Sequence, residues 1–118
     1  MALRILVAEH DHVTACDLCD TVAEAGYEVE GPHDGITTTI EACQSLRPDL
    51  VILDIALSDG MGHELAQRLL DDNVPVILHS ERDAVPDVAA RFPRATTLAK
   101  PCPPADLLGA VSRVLMPA

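Results

Sequence analysis

Aromatic side chains are nearly absent from this sequence: Tyr27 and Phe92 are the whole complement, and there is no tryptophan. Such a chain has little with which to stack on bases or sugars, or to sandwich a flavin ring. Basic residues are scarce as well. Eight Lys and Arg stand against 19 Asp and Glu, a net charge of −11, which argues against a phosphate-backbone footprint and against docking on anionic lipid. No apolar run reaches membrane-spanning length, and the stretch from Leu3 to Ala8 behind one arginine is too short for a secretory signal. No glycine-rich phosphate loop follows the first apolar run, and there is no Gly-x-Ser-x-Gly, so a flavodoxin-like cofactor binder or a hydrolase lacks its motifs. What is abundant is aliphatic. Hydrophobic residues make up 48% of the chain, enough to bury a core and to exclude disorder. A length of 118 residues suits one domain over 1–118, expected to be soluble and cytoplasmic.

Four cysteines stand at 16, 19, 43 and 102. Cys16 and Cys19 form a Cys-x-x-Cys, a spacing used in redox and zinc chemistry. No second pair exists, and this one lies inside a helical pattern with Val22 and Ala23 following, whereas a redox pair opens its helix just after a strand. Burial by helix packing is therefore the expectation for Cys16 and Cys19, with Cys43 and Cys102 as lone small hydrophobes.

Apolar runs alternate with helical patterns along the whole chain. Residues 3–8, 49–54, 74–79 and 95–99 read as buried strands, and 27–30, polar at alternate positions, as an edge strand with a wetter face. Helical stretches fall near 12–25, 34–46, 62–71, 84–91 and 104–115, with apolar residues recurring at three and four, as at Ile36, Ile40, Cys43 and Leu46. Gly26 follows the first helix as a stop, Asp34-Gly35 opens the second and Pro48 closes it, while Pro86, Pro103 and Pro104 suit first helical turns. Five strands alternating with five helices predict a doubly wound α/β domain with a parallel sheet, and nothing remains for a second domain.

Ligands of such a sheet bind beyond the carboxyl ends of its strands. The residues at those ends are Glu9-His10-Asp11-His12, Asp54, His79-Ser80-Glu81 and Lys100-Pro101, and Lys100 is the only lysine in the chain. A carboxylate, a hydroxyl and an ammonium around one point suit the handling of a phosphoryl group. Asp54 can attack phosphorus to form an acyl phosphate, Lys100 and Ser80 can hold the phosphoryl oxygens, and a divalent cation held by Glu9, its neighbours and Asp54 can neutralise spreading charge. For any one of these residues alone, a solvated acid at a strand end is the competing reading. His33 and His63, in or beside loops, are expected to be exposed. His79, ending a buried strand, is expected either to pack or to approach the site.

These residues carry a resemblance. Ile5-Leu-Val-Ala-Glu9, Val51-Ile-Leu-Asp54, Leu57-Ser58-Asp59 with Gly62, Pro75-Val-Ile-Leu-His-Ser80 and Lys100-Pro101 resemble the motifs of a response-regulator receiver domain, of the kind found alone in chemotaxis, across essentially the full length. The resemblance implies a flavodoxin-like three-layer fold and a two-component phosphorelay. It makes Asp54 the acceptor of a phosphoryl group from a histidine kinase or histidine phosphotransfer protein, with Ser80 and Lys100 as its partners. It also implies Mg²⁺ held by Glu9, Asp54 and the backbone carbonyl of Ala56, and a monomer or weak homodimer.

The departures from that pattern bear on function. The family places two adjacent acids after its first strand, the second a direct metal ligand, but here the pair is Glu9-His10. Imidazole is a poor ligand for Mg²⁺ and a better one for Mn²⁺ or another transition metal, so a weakened Mg²⁺ site or a changed metal preference is expected. The side chain of Asp11 should point elsewhere. Thr97 stands where the family carries a switching aromatic, and Glu81 follows Ser80 where a small residue is usual. The alternative function is accordingly a receiver-like interaction module that works without phosphorylation.

Overall fold

A computed structural model describes residues 2–116. The expected alternation is present, as strands β1 (Arg4–Ala8), β2 (Glu28–His33), β3 (Leu50–Asp54), β4 (Ala56–Leu57), β5 (Gly60–Met61), β6 (Val76–Glu81) and β7 (Thr96–Lys100). Between them lie α1 (His12–Glu24), α2 (Ile36–Ser45), α3 (His63–Asp71), α4 (Val85–Arg91) and α5 (Pro104–Leu115). Five strands form one parallel sheet in the order β2-β1-β3-β6-β7. The edge position of β2 matches its mixed exposure. The chain winds outward from β1 to β2 and then turns back through β3, so the carboxyl ends of β1 and β3 flank the switch point where such sheets open a crevice.

Strand alternation divides the core into two layers. Ile5, Val7, Leu50, Ile52 and Ile77 face α1 and α5, packing with Leu18, Val22, Leu107, Ala110 and Val111. Leu6, Ala8, Val51, Leu53, Val76 and Leu78 face the other way, onto α2, α3 and α4, where Leu65, Leu69, Val88 and Phe92 complete the layer. Helices on both faces of a parallel sheet give the three-layer, flavodoxin-like architecture.

Several boundaries move for physical reasons. β6 begins at Val76, two residues later than the apolar run suggests: Pro75 has no N–H to donate, although its carbonyl accepts from Val51 at 3.0 Å. The strand also ends later, at Glu81 rather than residue 79, which brings Ser80 into it. α4 starts after a 3₁₀ turn at Arg82–Ala84, with Pro86 in its first turn, and Pro104 opens α5. Gly26, just past α1, has φ +97°, as a helix-stopping glycine requires. β2 runs on to His33, past the expected end at residue 30. The stretch after β3 folds as a tight β4–β5 hairpin, with Ala56 opposite Met61.

Several side-chain expectations are corrected. The buried stripe of α1 is Ala15, Leu18 and Val22. Cys16 lies off it and is exposed, Ala23 is exposed, and Cys19 is only half-buried. Cys19, Cys43 and Cys102 nevertheless pack against the core, as small hydrophobes would. Leu46 follows the last turn of α2 and is exposed, leaving Thr39 as that helix's buried residue. His33 and His63 are half-buried rather than exposed: His33 Nε2 lies 2.9 Å from Glu30 Oε2, and the His63 ring stacks on Phe92 at 6.3 Å between centroids.

Candidate functional site

The alternation that builds the α1/α5 core layer also assembles the site. Glu9 follows Ile5 and Val7 two by two, Asp54 follows Leu50 and Ile52, and His79 follows Ile77. Each therefore emerges on the same face at a carboxyl end, and the β3–β6 register sets Asp54 directly beside His79. Glu9, Asp54, His79 and Ser80 are all at most 4% exposed, so each buried polar group needs a partner or costs stability.

Lys100 supplies the positive charge. At the end of β7, its Nζ lies 2.9 Å from Glu9 Oε1 and 2.9 Å from Asp54 Oδ2. His10, on the turn into α1, brings Nδ1 to 2.9 Å from Asp54 Oδ2 and 3.4 Å from Glu9 Oε2. His79 Nδ1 faces Glu9 Oε1 at 3.6 Å. The backbone N–H of Ala56 donates to Asp54 Oδ1 at 3.1 Å. Glu9 thus has its two oxygens divided, one toward Lys100 and His79 and the other toward His10.

The two carboxyls titrate in opposite directions. Burial alone raises Glu9, but the facing His79, the bond shared with Asp54 and the Lys100 ammonium outweigh it and hold the group far below the usual carboxylate range. Asp54 is raised, first by burial and then by the Glu9 carboxylate, with Lys100 opposing. A proton entering the pair goes to Asp54. His10 is raised, mainly through its hydrogen bond to Asp54. Burial lowers Lys100, but its bonds to Glu9 and Asp54 outweigh that and raise it.

The residues singled out in the sequence thus converge, with differences in detail. Asp11 points away as expected: its Oδ2 caps α1, accepting from Thr14 N at 2.9 Å and Thr14 Oγ1 at 2.6 Å. Glu81 is exposed at the end of β6, in register with Lys100 and on the rim of the cavity that His10, His79 and Lys100 also line. Ser80 Oγ and Thr97 Oγ1 are buried without a hydrogen-bond partner. Ser80 pairs with Ala99, and Thr97 with Leu78, so both hydroxyls belong to the face covered by α2, α3 and α4. His79, expected either to pack or to approach the site, does approach it, with Nδ1 facing Glu9 Oε1. One contribution was not foreseen. Asp59, on the β4–β5 turn, caps α2 from outside, accepting from Ile36 N at 2.6 Å and Thr37 N at 3.2 Å. The Gly35 at that helix start has no side chain to do so.

Glu9, His10 and Asp54 bring one donor atom each within 4.8 Å of one another, a grouping that can hold a metal ion. One of the three donors is a ring nitrogen, and Asp11, the next acid along, is committed to its helix cap. Mg²⁺ demands oxygen ligands in near-octahedral array, so this donor set does not fit it.

Comparison with known proteins places the chain. The family model described as the response regulator receiver domain matches residues 5–112. Response regulator MprA of Mycobacterium ulcerans is 33% identical over 92 residues, covering 76% of this chain and 39% of the relative, so the chain spans about two fifths of that protein's length. Protein Rrf1 of Nitratidesulfovibrio vulgaris is 32% identical over 120 residues, covering 98% of this chain and 84% of the relative. Among solved structures, the chemotaxis response regulator CheY4 of Vibrio cholerae superposes with a TM-score of 0.85 at 24% identity, covering 98% of this chain and all of the other (100%). A response regulator receiver protein from Sinorhizobium medicae gives 0.82 at 30% identity, covering 97% and 94%. With the fold, the acid–lysine cluster at its switch point and these relatives in agreement, the chain belongs to the response regulator receiver domain family of two-component systems.

Proposed function

We propose that this chain accepts a phosphoryl group on Asp54 from a phosphohistidine of a histidine kinase or phosphotransfer protein. A carboxylate oxygen of Asp54 attacks phosphorus as the phosphorus–nitrogen bond of the donor breaks. The imidazole leaves with the electron pair and takes a proton, and an acyl phosphate remains on Asp54. The observation that carries this reading is Lys100 Nζ at 2.9 Å from a buried Asp54 at the end of a central strand. The ammonium lowers the cost of ionising the nucleophile and is placed to pair with a phosphoryl oxygen. Ser80, buried and without a partner, is the hydroxyl available to donate to another.

The output is a change in a protein-binding face. Without an aromatic at position 97, that change does not run through a ring rotation. Two unpartnered hydroxyls, Ser80 and Thr97, lie on the face covered by α2, α3 and α4. Drawing Ser80 toward a phosphoryl group moves the carboxyl end of β6, from which the 3₁₀ turn and α4 continue. The opposing reading, an interaction module that is never phosphorylated, draws on the hydrogen bond between His10 and Asp54, which occupies the nucleophile.

Incubation with acetyl phosphate, in parallel reactions containing Mg²⁺, Mn²⁺, Co²⁺ and Zn²⁺, distinguishes the two. Intact mass should rise by one phosphoryl group in wild type and stay unchanged in Asp54→Asn. Equal labelling of both proteins removes the assignment of Asp54, and labelling of neither favours the interaction module.

A further inference from the structure

We propose that the Glu9–His10–Asp54 cluster is a site for an imidazole-seeking transition-metal dication of the Zn²⁺ and Co²⁺ type, in preference to Mg²⁺. The inference deepens the reading of the phosphoacceptor site and shares its location, but metal binding without a phosphodonor does not depend on Asp54 being phosphorylated.

The donor geometry is the first argument. His10 Nδ1 stands 3.4 Å from Glu9 Oε2, the donor–donor edge of about 3.4 Å that Zn–N and Zn–O bonds near 2.0–2.2 Å give in a tetrahedron. A second edge, Nδ1 to Asp54 Oδ2, is a 2.9 Å hydrogen bond, and the third, between the two carboxylates, lies within 4.8 Å. The hydrogen-bonded edge needs to open by only about 0.5 Å when a metal replaces its proton. Two carboxylates and one nitrogen leave a fourth position, and the His10 side chain, 48% exposed, borders solvent there. Carboxylates and imidazole together suit the later first-row dications, whose affinity for nitrogen-containing sites rises from Mn²⁺ toward Zn²⁺.

The second argument is independent of those three donors. His79 is 2% exposed, neither of its ring nitrogens has a hydrogen-bond partner, and Nδ1 is directed at Glu9 Oε1 from 3.6 Å. A ligating carboxylate is ordinarily held through its other oxygen by such a group. Here Oε1 is flanked by His79 and Lys100 while Oε2 is turned to His10. The structure therefore contains a nitrogen-bearing donor set and a buried imidazole in place to orient its most enclosed carboxylate. Asp11, the acid next to that set in sequence, is bound into the cap of α1 and is not free to serve a hard cation.

The test is calorimetric titration of the full chain with Mg²⁺, Mn²⁺ and Zn²⁺, beside Co²⁺ titration followed by visible absorption. Zn²⁺ and Co²⁺ should bind at least about tenfold more tightly than Mg²⁺, the scale on which ligand changes act. The Co²⁺ complex should show ligand-field bands without the near-ultraviolet thiolate band that binding at Cys16 and Cys19 would produce. His10→Asp should weaken Co²⁺ and Zn²⁺ about tenfold or more and tighten Mg²⁺. His10→Ala should lose Co²⁺ without gaining Mg²⁺, which covers the case in which the added acid prevents folding. Equal affinity for Mg²⁺ and Zn²⁺ in wild type, Zn²⁺ binding unchanged in both variants, or a Co²⁺ spectrum carried by the thiolate band overturns the proposal.

Discussion

Removing the Lys100 ammonium should destabilise the protein by an amount that depends on pH. In Lys100→Ala, Glu9 and Asp54, both at most 4% exposed, lose a charge that stands 2.9 Å from each. Breaking a buried pair by deleting one partner costs about 3–5 kcal/mol when the other charge has no escape. Asp54 has one, since burial and Glu9 already raise its pKa and it can take up a proton. Protonating a carboxyl of ordinary pKa near 3.9 at pH 7 costs about 4 kcal/mol, at roughly 1.36 kcal/mol per unit, and at pH 5 only about 1.5 kcal/mol. These are ceilings on the penalty, so the expected loss is about 3 kcal/mol at pH 7 and about 1 kcal/mol at pH 5. A carboxyl whose folded pKa lies above its unfolded value destabilises the fold at high pH and is relieved as pH falls, so the gap between wild type and variant must narrow on acidification. Lys100 itself stays charged throughout that window, its own pKa being raised. Domains of this kind have about 5–15 kcal/mol to spare, so the variant remains folded while its response to acetyl phosphate drops. Urea denaturation of both proteins at pH 7 and pH 5 in EDTA measures the gap. A difference below about 0.5 kcal/mol at pH 7, typical of an exposed pair, or a gap that widens at pH 5, refutes the reasoning.

Three further outcomes follow from particular residues. Thr97→Val replaces a buried hydroxyl that has no partner with a methyl group of similar shape, and should stabilise by about 1 kcal/mol in a thermal melt; a loss of that size would mean the hydroxyl has a partner. Gly31 has φ +109°, and a Cβ there would meet the Val7 carbonyl oxygen at 2.7 Å, so Gly31→Ala should cost about 2 kcal/mol or more by urea denaturation, and a neutral result would mean that this close approach of β1 and β2 is not made. Asp59, its carboxyl lowered by the N–H groups of Ile36 and Thr37, contributes stability above its unfolded pKa that is lost as pH falls through its folded one. Asp59→Ala should therefore melt below wild type at pH 7, with the difference shrinking as pH falls below about 4, and a difference that does not shrink at pH 3 counts against the cap.

Most of the architecture was legible because each element carries one strong local signal. The aliphatic runs of β1 and β3 and the prolines opening α4 and α5 each point to one structure, and strand parity then places Glu9, Asp54 and Lys100 at one end without further information. Signals that depend on two elements were the ones missed. Asp59 caps a helix 23 residues earlier in the chain, and no local pattern reveals that partnership. The helical pattern of Cys16 and Cys19 with Val22 and Ala23 points to a buried face, but the spacing of Ala15, Leu18 and Val22 turns the buried stripe away from Cys16. A position beside a loop points to an exposed His63; its partial burial depends on the Phe92 ring from the far end of α4. The role of His79 was half visible: alternation puts it on the Asp54 face, but only the β3–β6 register sets it beside Asp54.

The central claim is that the acyl phosphate forms on Asp54 and nowhere else. Borohydride reduces an aspartyl phosphate to homoserine, so wild-type protein treated with acetyl phosphate, reduced and mapped by peptide mass spectrometry locates the site directly. The account predicts homoserine at position 54 alone, no conversion in Asp54→Asn, and reduced conversion in Lys100→Ala. Homoserine at Asp11 or Asp59, or a phosphoryl mass that survives borohydride and sits on His10, would contradict it.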